Sequence, residues 1–109
     1  MQATLFRHAD CKAQPLGNGV TRRVLAYDEK LMFAEVRCEA GGSGPVHSHP
    51  HAQNTYVLSG RFLFTAGEDS FEMGPGDSVA IPPDVPHGTR CLEAGAMLDV
   101  FTPMRTDFL

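Results

Sequence analysis

The chain has 109 residues, 42% of them hydrophobic and 20% charged, and a formal net charge of −4. That length holds one core, so residues 1–109 read as a single domain, and without a Lys/Arg cluster neither nucleic acid nor an anionic membrane is expected as a partner. No apolar run approaches the roughly 20 residues of a membrane-spanning helix, and the opening MQATLFRHADCK does not read as a signal peptide.

Glycine and proline, 11 and 8 of them, fall between short apolar runs, and no segment sustains a helical period. In chain order, residues 4–7 read as a short strand and 15–19 as a loop. Residues 20–27 form a strand and 28–30 a turn. Residues 31–39 alternate: Met32, Ala34, Val36 and Cys38 share one face, while Leu31, Phe33, Glu35 and Arg37 share the other. Residues 41–45 read as a loop. A strand at 55–58 ends at Ser59–Gly60, and 61–66 is expected to be its hairpin partner. A turn at 67–70 leads into 71–73, and the GPGD turn at 74–77 leads into a strand at 78–81 that stops at Pro82–Pro83. Residues 88–92 and 96–101 complete the set, followed by a tail. Eight or nine short strands in a chain of this size predict an all-β jelly roll. The three cysteines, Cys11, Cys38 and Cys91, form neither a CxxC pair nor a disulfide framework. They are expected to be free thiols in a reducing cytoplasm.

The stretch GGSGPVHSHPHAQNTYVLSG, residues 41–60, is where chemistry concentrates. His47, His49 and His51 alternate, and residues two apart on an extended segment point the same way. Imidazole is the commonest protein ligand for transition metals, so His47 and His49 are candidate ligands, with Gln53 two residues beyond His51.

These residues resemble the first motif of the cupins: Gly41, His47, His49, Gln53 and Gly60 stand at the motif's spacings, with glutamine replacing its carboxylate. The second motif is matched by Gly76, Pro82 and His87, with Asp84 and Cys91 replacing its other glycine and its asparagine. The resemblance implies a cupin double-stranded β-helix and a metal site of His47, His49, Gln53 and His87. The ion would be a divalent transition metal: Ni, Zn, Mn or Fe. The pattern skips His51, and His8 reads as surface or core edge. Without a carboxylate the site keeps about two net positive charges, which favours an anionic ligand and Lewis-acid over redox chemistry.

A narrower resemblance rests on HSHPHAQ (47–53) and CLEAGAMLDVFTPMRTDFL (91–109). Both are similar to the KdgF-type pectin-degradation cupins, in which glutamine takes the carboxylate's ligand position. That family's activity implies ring opening and ketonisation of 4,5-unsaturated uronates, with a small anionic sugar as substrate and a homodimer as the assembly. Such a reaction needs a Lewis acid, a proton carrier and a carboxylate clamp. Asp99, set between Leu98 and Val100, is assigned the proton shuttle. Phe101, on the same strand face, is the wall against the sugar ring. Arg105 is the carboxylate clamp, on a tail whose Phe108–Leu109 ending predicts docking. Arg22, Arg23 and Arg61 read as strand-face or turn charges, and Tyr56 as a residue suited to lining the barrel. The competing classes are a metal-dependent cupin oxygenase and a non-catalytic sugar- or metal-binding cupin.

Overall fold

The structure, a computed structural model, describes residues 2–109. It holds eight strands: β1 Ala13–Gly17, β2 Val20–Tyr27, β3 Met32–Cys38, β4 Ser43–His47, β5 Ala52–Ala66, β6 Asp69–Met73, β7 Ser78–Ile81 and β8 His87–Thr102. Short 3₁₀ turns at His8–Asp10 and Thr106–Phe108 are the only helical pieces among the described residues, and no helix there is long and apolar enough to cross a membrane.

All strand pairs are antiparallel, and two long strands organise them. The second half of β8 pairs with β3 and with the start of β5; that sheet runs on through β2 to β1 on one side and to β7 on the other. The first half of β8 pairs with β4 and with the end of β5, which also pairs with β6. β5 and β8 therefore belong to both sheets of the jelly roll. Between the sheets, Val57 and Met97 from one pack with Phe62, Phe64 and Cys91 from the other. Burying each large side chain stabilises the fold by about 1.5–3 kcal/mol. A second cluster, Met32, Ala34 and Phe101, is closed by Val24, Met104 and Phe108.

Several strand limits differ from the expected ones. Residues 4–7 form no strand; this segment docks by side chains instead, Phe6 against Tyr27 and His8 against Glu35. The loop expected at 15–19 begins as β1, since Pro15 costs no ladder bond on an edge strand. The loop expected at 41–45 becomes strand from Ser43 onward, because β8 offers it an open edge. Residues 55–58 and 61–66 are not a hairpin. Both belong to β5, which runs through Gly60 with register shifts against β8. Gly60 has a φ of +80°, and a Cβ there would meet the carbonyl oxygens of Glu93 and Ala94 at 2.6 and 2.7 Å. The glycine thus permits a bend and a close approach where a turn was expected. Residues 88–92 and 96–101 are likewise one strand, β8.

The predicted faces of β3 hold. Met32, Ala34 and Cys38 are buried and Val36 is half-buried. Glu35, on the opposite face, is also buried, beneath the side chains of His8, Arg23 and Arg37. All three cysteines are free thiols.

Candidate metal centre

Four chain segments meet at the mouth of the barrel. His47 ends β4 and lies opposite His87, the first residue of β8. His49 sits in the β4–β5 connection, and Gln53 is the second residue of β5. Ligand atoms of His47, His49 and His87 all lie within 4.8 Å of one another. The rings of His47 and His87 are 4.5 Å apart between centroids, and those of His49 and His87 are 4.9 Å apart.

Backbone carbonyls set the tautomers. His47 Nδ1 donates to Pro45 O at 2.9 Å and His87 Nδ1 to Val85 O at 2.9 Å. Each ring then turns an Nε2 lone pair away from that bond, the orientation a metal ligand needs. Burial lowers the pKa of both His49 and His87, which keeps those rings neutral and able to ligate. His87 Nε2 is buried and has no hydrogen-bond partner. An orphaned, buried imidazole nitrogen is costly unless something fills the position it faces.

Gln53 adds a second sign of an ion. Its Nε2 donates to Thr55 Oγ1 at 2.9 Å, so its Oε1 faces His49 Nε2 at 2.9 Å. His49 Nδ1 already donates to His51 O at 3.1 Å. A neutral His49 therefore turns one acceptor toward another, a contact that a shared cation relieves. The donor set of three imidazole nitrogens and one amide oxygen suits a divalent transition metal. His51 accepts from His49 through its carbonyl and packs its ring 5.4 Å from that of His49, and His8 lies elsewhere, on Glu35.

The hydrogen-bond chain continues inward. Thr55 Oγ1 donates to Asp99 Oδ1 at 2.6 Å. The two residues are direct cross-strand partners, as are Gln53 and Phe101. Burial pushes the Asp99 carboxyl up to about 6, against the opposing pull of the Thr55 hydrogen bond and the Arg105 charge. Phe101 is buried with its ring edge-on to His49 at 5.7 Å and to Phe108 at 5.5 Å. The tail docks as expected. Arg105 is buried, its guanidinium lies 4.3 Å from the centre of the Phe108 ring, and it donates through Nε and Nη2 to Asp107 at 3.0 and 2.8 Å.

A cavity of about 320 Å³ joins these groups, lined by His47, Gln53, His87, Asp99, Phe101 and Arg105. Three more polar residues belong to the site's surroundings. Thr55 sits between Gln53 and Asp99, and Arg22 and Asp107 line the cavity. For Thr55 and Arg22 the signal was strand alternation: Thr55 shares a face with Gln53, and Arg22 shares one with buried Val20 and pairs with Val36. Tyr56 does not line the barrel. It alternates outward beside Thr55 and is 45% exposed.

Comparisons with known proteins agree with this geometry. The sequence profile described as "Cupin domain" matches residues 34–101. Pectin degradation protein KdgF of Dickeya dadantii is 33% identical over 98 residues, covering 88% of this chain and 89% of that protein. The crystal structure of an RmlC-like cupin from Shewanella frigidimarina superposes with a TM-score of 0.93 at 30% identity, covering 99% of this chain and 97% of that one. KdgF from Halomonas sp. also gives a TM-score of 0.93, at 29% identity over 99% of this chain and 100% of that one. With both histidine motifs converging at one end of a jelly roll, the chain belongs to the cupin domain family and is a KdgF-like member of it.

Proposed function

We propose that this chain is a metal-dependent isomerase that converts 4,5-unsaturated uronate monomers into linear 4-deoxy-5-keto uronates. The observation that carries the reading is three converging imidazoles, two of them on the cavity wall, that connect through Gln53 and Thr55 to a carboxyl that burial holds near neutrality. The cavity lies near the lower end of the roughly 300–1,000 Å³ range of small-ligand sites, which suits a single sugar ring. The relative from Dickeya, named for pectin degradation, supports a sugar acid as substrate.

His47, His49, Gln53 and His87 would hold a divalent transition ion (Ni, Zn, Mn or Fe), which would supply Lewis-acid chemistry for the sugar acid. Four neutral ligands leave the site cationic and so favour an anionic sugar.

In the reaction, the C1–O5 bond breaks, the C1 hydroxyl loses its proton and C1 becomes an aldehyde. C4 then gains a proton and C5 becomes a ketone. One proton leaves and one arrives, so no redox partner is needed. Asp99 carries that proton. A carboxyl near 6 holds both protonation states close to neutral pH, as a group that both takes and gives requires. Thr55 fixes one Asp99 oxygen and leaves the other for exchange. Phe101 is the wall against the sugar ring, braced by His49 and Phe108. Arg105 clamps the substrate carboxylate with the N–H groups that Asp107 leaves over.

A homodimer and a cytoplasmic setting belong to the same proposal. Tyr56 and Leu58, exposed on the outer sheet face beside half-buried Leu98, support a dimer contact. The three free thiols support a reducing compartment.

The test uses purified protein, metal-loaded or chelated, with freshly made unsaturated galacturonate monomer. Loss of the C4=C5 absorbance above the spontaneous rate is expected only with metal, with the linear keto acid as product by NMR. A metal-loaded, folded protein that gives no acceleration overturns the proposal.

A further inference from the structure

Arg22 lines the same cavity as Asp99 and Arg105, yet the proposed reaction leaves it without a task. It projects inward from β2, on the face of buried Val20 and opposite Val36 of β3. Its Nε donates to Gln14 Oε1 at 3.2 Å, and its guanidinium carbon lies 3.5 Å from the centre of the Phe108 ring. Gln14 in turn donates to Phe108 O at 3.3 Å, so β1, β2 and the tail hold this guanidinium still.

Its charge has no close ion pair among the described residues; Asp107 and Asp99 act on it only from farther away. Among the described residues no carboxylate lies within ion-pair distance of Arg22, and its two terminal nitrogens have no protein acceptor. Arg105 differs: Asp107 already holds its Nε and Nη2. Both guanidinium groups stack near one Phe108 ring, and burial, followed by Arg105's charge, lowers the Arg22 pKa against the weaker opposing pull of Asp107 and Asp99. A half-buried cation beside a second cation, with a free donor fork on a cavity, is a site for an incoming anion.

We infer that Arg22 is a second carboxylate-reading residue, which together with Arg105 makes this cavity discriminate an acid sugar from its neutral counterpart. The inference rests on the uronate reading above and assigns its specificity. The fork Arg22 presents is preorganised by Phe108 and Gln14, so little side-chain freedom is lost when the carboxylate arrives.

The experiment separates charge reading from support of the tail. Metal-loaded wild type, Arg22→Gln and Arg22→Lys are titrated with galacturonate and with its methyl ester, a probe of the same shape without the charge. Wild type is expected to favour the acid. Arg22→Gln should bind the acid about tenfold more weakly, the effect of losing a charged hydrogen bond, and leave the ester unchanged. Arg22→Lys, which keeps the charge without the fork, should fall between and serves if Arg22→Gln fails to fold. Equal losses for acid and ester would mean that Arg22 only anchors the tail, and would overturn the inference. So would a wild type that does not distinguish the two ligands, even if it turns over the unsaturated monomer. The converse result, acid preference lost with Arg22 but no turnover of that monomer, would remove the reaction and keep this assignment.

Discussion

Two carboxylates lie one residue out of step on neighbouring strands of the same sheet, with opposite surroundings. Glu35 of β3 pairs with Leu98, and the next rung pairs Ala34 with Asp99. Glu35 faces outward and meets His8 at 3.0 Å, Arg37 at 3.1 Å and Arg23 at 3.9 Å. Burial would raise its pKa, but the hydrogen bonds and charges of His8 and Arg37 outweigh that and hold it below the ordinary carboxylate range. Asp99 faces inward and has a neutral hydroxyl as its hydrogen-bond donor, so burial wins and its carboxyl rises to about 6. An acid surrounded by cations is a fixed charge. An acid left short of them, next to three histidines that could hold a metal ion, can exchange a proton.

The largest expected effect is on turnover. Asp99→Asn should slow uronate conversion about 10²–10⁴-fold, the usual contribution of a positioned acid or base. Glu35→Gln should keep kcat within about twofold, since it lies outside the cavity and disturbs only surface cations. Steady-state rates of the two variants at equal metal loading make the comparison, and similar losses would erase the distinction.

Metal binding should respect the same division. At a hundredfold excess over its dissociation constant, an ion that binds only the folded state adds about 2.7 kcal/mol of stability. Thermal melts with and without chelator should show this gain in wild type and in Glu35→Gln, and lose most of it in His87→Ala. Thr55 sharpens the comparison further. Thr55→Val keeps the shape but removes the hydroxyl that ties Gln53 to Asp99, and should weaken metal affinity about tenfold or more. Thr55→Ser should restore most of it. Chelator competition reads both.

The smallest effect is on stability against pH, and the two acids should show opposite signs. The folded pKa of Asp99 is raised from 3.8 to about 6. Its contribution is therefore fully present below the lower value and lost as pH rises through the upper one. Metal-free Asp99→Asn should be more stable than wild type above that pH, by about 1–3 kcal/mol, and not at pH below 4. Glu35 has a lowered folded pKa, so its contribution is present above its ordinary value of 4.5 and lost as pH falls through the folded value. Glu35→Gln should therefore be less stable than wild type at neutral pH and approach it in acid. Denaturation midpoints across pH decide both.

The same sheet shows what was legible in the sequence. Alternation assigned the faces of β3 correctly, and both histidine motifs could be found without coordinates because their spacing follows the strands that carry them. Asp99 stood out as a carboxylate between Leu98 and Val100, and it lines the cavity. Arg22 was read as surface charge because it stands next to Arg23, although alternation with Val20 and Val24 puts it on the inner face, where it pairs with Val36. Ser59–Gly60 read as a strand end, and Gly95 of β8 fell between two expected strands. The long-range approach of the two, in which a Cβ on Gly95 would collide with the Ser59 carbonyl, makes them a crossing point instead. Such contacts between distant segments leave no local pattern.

The unbroken path of β8 also bears on how the protein tolerates change in length. His87 opens this strand, and Asp99 and Phe101 lie near its end, so one added residue between them would turn one group or the other away from the cavity. The exposed turn at Gly67–Glu68 is tied to the start of this strand only from the side, Gly67 N–H donating to Pro86 O at 2.8 Å. An affinity tag inserted after Glu68, which leaves that bond in place, should keep the register of β8 intact, which makes it the natural point for building fusions.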